Sequence, residues 1–149
     1  MSHHLLLVIH LISMAVWVGG HLYLAVCVLP SILRNNDVER LLKFEKSFEP
    51  LGMSALLFLV ITGVWMSVQF GISWGKWFTF SSSMERVVSI KLILLFATFL
   101  LALSAQIRVF PKLKNGVNKL PEMTFHIIMV TLLGVAMLVL GSFLRYGGI

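Results

Sequence analysis

Imidazoles placed in hydrocarbon are where this sequence could do chemistry. Of five histidines, His10, His21 and His126 fall inside long apolar runs. A ligating or titratable side chain there is costly, which makes each a candidate site residue. His10 and His21 share one helix face: eleven steps return to within about 20° of the start and rise about 16 Å. That face also carries Met14 and Trp17, with Gly19 and Gly20 beside it to admit a neighbouring helix or a flat ligand. A second stripe reads His126, Met129, Leu133 and Met137, with Gly134 and Gly141 as close-approach points. Imidazole with methionine thioether suits Cu(I), and opposed imidazoles across a bundle suit haem b. Lys91, the one charged residue within these runs, would balance a carboxylate or donate a proton.

Plainer roles exist for several of these residues. His126 lies about a turn inside its run, where hydrogen bonding to a neighbouring helix would also explain it. Lys91 is about a turn and a half from Arg86, within snorkelling reach of the surface. Methionine stripes at helical spacing are more often packing than copper sites. His21, far from either surface and aligned with His10, is hardest to explain without a ligand. His3 and His4 place a histidine third from the amino terminus, a Cu(II)-chelating arrangement, although a flexible terminus is the expected state.

The elements that hold these residues follow from composition. The chain has 149 residues, 58% hydrophobic and only 12% charged, with mean hydropathy +0.95. Four runs are long enough to span a bilayer, at about 5–29, 51–70, 87–107 and 123–144. The expected fold is all-α, an integral membrane four-helix bundle running up-down-up-down, with residues 1–149 as one domain. The first run lacks a basic flank and a small-residue cleavage site, so it reads as a retained helix. Cys27, the only cysteine, excludes an internal disulfide and reads as a small hydrophobe.

The net charge of +6 speaks to topology rather than to nucleic acid. Arg34, Arg40, Lys43, Lys46, Arg108, Lys112, Lys114 and Lys119 lie on one side of the membrane; Lys76, Arg86 and Arg145 lie on the other. The richer side is expected to be cytoplasmic, which puts both termini outside.

Helix 1 is expected to end near Pro30, and Asn36 with Glu39 resembles a capping box. Val38, Leu41, Leu42 and Phe48 then recur at helical spacing among charged residues, as a solvated extension of helix 2. The second loop, 71–86, holds Trp74, Trp77, Phe78 and Phe80, an interfacial aromatic belt in preference to a lid. The third loop, 108–122, reads as a basic cytoplasmic turn, and no internal repeat is evident. Measured from span midpoints, His10 and Lys91 lie about 10 Å and 9 Å toward the same face. His21 and His126 lie about 6 Å and 11 Å toward the opposite face, a looser match.

The string His10-Leu-Ile-Ser-Met-Ala-Val-Trp17-Val-Gly19-Gly20, followed by Leu29-Pro30, resembles the first helix of the copper-resistance protein D (CopD) family. The likeness continues through Phe44 to Gly52 and Thr62-Gly63, then Lys91-Leu-Ile-Leu-Leu with Gln106, Arg108 and Pro111. It implies copper handling, usually described as uptake across the bacterial inner membrane. It also points to a relative, the HemJ-type protoporphyrinogen oxidase, a four-helix haem b protein dependent on a helix 1 histidine and a helix 3 lysine. His10 and Lys91 match those positions. The chain departs from that enzyme at Ser31, where an arginine follows soon after the Leu-Pro, and at Asn118-Lys-Leu-Pro-Glu122, where an Asn-Glu-x-Pro stretch is expected.

Together these features lead to a membrane protein that binds haem b through His10, His21 and His126 and takes part in electron transfer. Met14, Trp17 and Gly20 line its site, and Lys91 serves as cation or proton donor. The alternatives are a copper-handling protein using Met14, Met129 and Met137 with the histidines, a porphyrin-oxidising enzyme, and a structural accessory subunit. The expected partners are the lipid bilayer, a redox protein or quinone, and a second copy of the chain.

Overall fold

Two helices interrupted by a π turn set the architecture of this computed structural model, which describes residues 2–149. Four helices are long and apolar enough to cross a membrane: α1 His3–Asn35, α2 Val38–Gln69, α3 Ser83–Lys114 and α4 Leu120–Tyr146. No strand occurs among the described residues. The chain is an all-α, multi-pass membrane protein built as a four-helix bundle. Exposed Leu11, Ile12, Val26, Leu57, Phe96 and Leu132 form the surface turned to lipid.

Pro30 does not end α1. A wide π-helical turn at Leu24–Val28 precedes it, and the helix resumes over Leu29–Asn35 with the proline in its first turn. The widened turn makes room for the pyrrolidine ring and absorbs the missing N–H, so the chain stays helical. The same device recurs in α3, where a π turn at Ala105–Val109 precedes Pro111. Much of the expected third loop is therefore helix, and the true connection is short.

The two helices are related, which corrects the expectation that the chain lacks an internal repeat. A constant shift of 81 residues carries Leu24 to Ala105, Val28 to Val109 and Pro30 to Pro111. The same shift carries buried Leu6, Trp17 and Ile32 to buried Val87, Thr98 and Leu113, and it carries His10 to Lys91. Each half is thus a helical hairpin with the same kink. Few side-chain identities mark the repeat, because bilayer-facing positions accept any apolar residue.

Hairpin α1–α2 and hairpin α3–α4 are each closely packed, and α1 joins them by packing on α4. α2 and α3 scarcely touch, so the ring of helices is open on that side. Glycine permits the close approaches. The ring of Phe48 on α2 lies where a Cβ at Gly20 would stand, and a Cβ at Gly134 would lie 3.4 Å from Val18 Cγ2. Below the open side, Leu24, Val28, Ile32, Leu41, Val109 and Leu113 make the largest buried cluster, holding the two kinks together.

The connection between α1 and α2 is only two residues. Asn36 takes a left-handed conformation (φ 51°) that closes α1, and the Asp37 side chain accepts from Arg40 N at 3.0 Å to open α2. The cap is thus Asp37 rather than Asn36. The expected solvated extension is the first part of α2 itself, continuous with its span. In the second loop, Ser82 and Glu85 form a capping box for α3. Glu85 also accepts from Thr79 Oγ1 (2.8 Å) and Ser81 N (3.1 Å), which ties the loop down.

Candidate functional site

The open side between α2 and α3 holds two cavities, one above the other. The upper is lined by His10, Met14, Trp17, Met66, Trp77, Lys91 and Met137 among apolar side chains. The lower is lined by Trp17, His21, Glu45, Phe48, Glu49, Gln106 and His126. Their volumes are about 130 Å³ for the upper and 160 Å³ for the lower. Counted out to their open mouths, the two reach about 920 and 870 Å³. Trp17 and Leu56 line both. Trp17, only 5% exposed, is therefore the partition between them.

His10 and Lys91 lie in the same cavity, as their levels predict. Each rests against a glycine of its own hairpin partner. A Cβ at Gly63 of α2 would be 3.4 Å from His10 Cε1, and one at Gly141 of α4 would be 3.3 Å from Lys91 Nζ. Lys91 makes no hydrogen bond or ion pair among the described residues. His21 and His126, the looser pair, share the lower cavity. The three histidines are thus divided between two chambers, and His10 and His21 cannot reach a common ligand.

The hydrogen bonds fix which ring nitrogen of each histidine can ligate. His10 Nδ1 lies 2.8 Å from Thr62 Oγ1. The Thr62 hydroxyl hydrogen goes to the Phe58 carbonyl, so its oxygen accepts and His10 Nδ1 donates. Nε2 of His10 is left with a lone pair. His21 Nδ1 donates to the Trp17 carbonyl at 2.8 Å, and His126 Nδ1 donates to the Glu122 carbonyl at 2.8 Å. All three rings are therefore oriented through Nδ1–H, the arrangement that presents Nε2 to a metal.

One of the three lone pairs is already used. His126 Nε2 accepts from Ser104 Oγ at 3.2 Å, and the residue is 7% exposed. This is the plainer role foreseen for His126. His21 packs against Trp17 with ring centroids 4.3 Å apart and meets Phe48 edge-on.

Methionines complete the upper cavity. Met14 and Met137 lie where their stripes point, on α1 and α4. Met129 is not part of either lining, whereas Met66 of α2 is. Sequence reasoning missed Met66 because no imidazole shares its face of α2. No three histidine, cysteine, aspartate or glutamate side chains come close enough to hold a metal among the described residues. A metal in the upper cavity would therefore rely on thioether sulfur beside one imidazole, a donor set that favours a soft monovalent ion.

Other expected features are placed as follows. Gly20 admits Phe48, leaving no room there for a flat ligand, and Gly19 faces open space. Cys27 is exposed on the outer face of the α1 kink. His3 is held, not free: it bonds Gln69 Oε1 at 2.8 Å and meets Phe70 edge-on. The amino-terminal group of a Cu(II) chelate there lies outside the described residues. Trp74 is exposed as a belt residue would be, but Trp77 turns inward and roofs the upper cavity, with its carbonyl accepting from Ser89 Oγ.

A four-helix bundle open along one side, with methionine, imidazole and a lysine amine lining one chamber, is the architecture of a multi-pass membrane protein. Residues 42–144, well over half of the chain, match the family described as copper resistance protein D (CopD). The chain belongs to that family. The match covers Thr62, Met66, Lys91, His126 and Met137; α1, with His10, Met14, Trp17 and His21, lies before it. No curated protein and no solved structure matches the chain.

Proposed function

We propose that the protein handles copper, taking Cu(I) into the upper cavity on His10 Nε2 and the thioethers of Met14, Met66 and Met137. One observation carries this: three methionines and an oriented imidazole from α1, α2 and α4 line one chamber. Thioether is a soft ligand, and three of them beside one neutral imidazole favour Cu(I) over hard cations. The open side between α2 and α3 gives the ion a way in, and Trp17 separates the chamber from the one below. The charge distribution supports a bacterial inner-membrane protein with both termini outside. Residues 1–149 would act as one domain, and a second copy seated on the open side would close the ring.

The test is copper content. Protein purified in detergent after expression with added copper should hold close to one copper per chain. His10→Ala or Met137→Leu should lose most of it. Copper-free protein under these conditions would reject the proposal.

A second reading, haem b in the same chamber, rests on Lys91, a cation without an anionic partner. When bound, haem b would supply one-electron chemistry. His10 Nε2 and Met137 would be the residues to hold the iron, and Lys91 the one to pair a propionate. A redox protein or quinone would then be the partner, and the HemJ-type pairing of His10 with Lys91 would extend to an oxidase activity. The lower chamber suits haem less well, because Ser104 occupies His126 Nε2. A Soret band from protein expressed with ample haem distinguishes this reading from copper.

A further inference from the structure

The lower cavity is lined by carboxylates and aromatic rings, and by no cation. Glu45 and Glu49 of α2 line it with Phe48 between them, opposite Trp17 and His21 of α1 and Phe99 of α3. No lysine or arginine is part of the lining, and Lys43 and Lys46 on the same stretch of α2 are exposed. The ion pairs among the described residues join Glu122 to Arg108 and Lys119, and leave both of these glutamates unpaired. Glu45 and Glu49 stand one helical turn apart, so two like charges share one mouth. His21 adds no positive charge, because its Nδ1–H goes to the Trp17 carbonyl and Nε2 keeps a lone pair. The Phe48 ring fills the notch at Gly20 and meets His21 edge-on, with centroids 5.6 Å apart. The carboxylates beside it therefore open into the chamber at the level of His21, not beyond the end of the bundle.

Two anionic groups at the mouth of a largely apolar chamber complement a cation, and the walls decide which kind. A hard metal ion needs oxygen ligands in place of its hydration shell, and no three histidine, cysteine, aspartate or glutamate side chains converge among the described residues. An organic cation with a shielded charge holds its water weakly, and aromatic faces attract it. We propose that the lower cavity binds a monovalent lipophilic organic cation, with its apolar body between Trp17, Phe48 and Phe99 and its charge toward Glu45 and Glu49. Counted to its mouth the chamber reaches about 870 Å³, the size of a pocket for a drug-sized molecule. The open side between α2 and α3 admits such a molecule directly from the bilayer. A zwitterionic lipid headgroup fits less well, since its phosphate would meet the same two carboxylates. The site lies across Trp17 from the copper chamber and does not depend on the copper reading.

Equilibrium dialysis of the purified protein in detergent against radiolabelled tetraphenylphosphonium tests this, with protein-free micelles as the blank. Tetraphenylborate, of the same shape and opposite charge, is run in parallel. Phosphonium uptake should saturate, and the borate should show no saturable uptake. Glu45→Gln and Glu49→Gln should each weaken phosphonium binding about threefold, and together about tenfold. Phe99→Leu, which keeps an apolar wall and removes the ring, should weaken it about threefold. Elution as a single species shows that each variant folds; if the double variant does not, the single ones carry the test. Equal uptake of the two probes would mean simple apolar partition and would overturn the inference. Wild-type affinity in both glutamine variants, or no saturable phosphonium uptake, would overturn it as well. Each of these results leaves the copper reading untouched, because copper is assigned to the other chamber.

Discussion

Replacing Thr62 with valine tests how the site is held. Thr62 is 2% exposed, and its oxygen receives the Nδ1 proton of His10 at 2.8 Å. Valine keeps the branched shape and removes that acceptor. The imidazole N–H is left without a partner in a half-buried position, a penalty of about 1–3 kcal/mol. The ring is then free to rotate, or to move its proton to Nε2, where the nitrogen facing the cavity would have no lone pair. Removing the group that orients a ligating imidazole typically lowers metal affinity about 10–100-fold. In free energy that is about 1.4–2.8 kcal/mol, the same size as the unpaired N–H. Chelator competition with Cu(I) should show Thr62→Val weaker by that factor, and Thr62→Ser should recover most of the loss. Wild-type affinity in Thr62→Val, or equal weakness in Thr62→Ser, would refute the assignment of His10 Nε2 as a ligand.

Three further outcomes follow from the packing. Gly20→Ala places a methyl group in the space held by the Phe48 ring, so thermal stability in detergent should fall by about 1–3 kcal/mol; Phe48→Leu in the same chain should restore part of it. Glu85→Gln weakens the capping box and the bonds to Thr79 and Ser81. It should cost about 1 kcal/mol and speed proteolysis within 71–82, with copper affinity lowered only as far as Trp77 moves. Ser104→Ala frees His126 Nε2 in the lower chamber. It should leave copper affinity unchanged, since that chamber is walled off by Trp17; a marked change would place the metal below the partition.

The bundle was legible in the sequence because spanning helices need only length and hydropathy, and the four runs of about 5–29, 51–70, 87–107 and 123–144 fall within observed helices except for Phe70, one residue past the end of α2. Their ends were not. Pro30 and Pro111 signal helix termination locally, yet in each case a π turn upstream accommodates the ring, a compensation that leaves no residue signature. Helical periodicity correctly paired His10 with Met14 and Trp17, and depth correctly levelled His10 with Lys91. Neither could show that Trp17 would stand between His10 and His21, because that depends on α2 and α3 remaining apart. Met66 and Trp77 were passed over for the same reason: one sits on a helix without imidazole, the other in a loop whose inward turn is set by Glu85 and Ser89. The repeat became visible only when kinks, not residue identities, were compared.

X-ray absorption at the copper edge of the Cu(I)-loaded protein tests the central claim most directly, since it reports which elements touch the metal. Sulfur neighbours together with one nitrogen from imidazole, the sulfur contribution falling in Met137→Leu, is the predicted result. A shell of nitrogen and oxygen alone would contradict the account, for it would put copper somewhere other than the methionine-lined chamber.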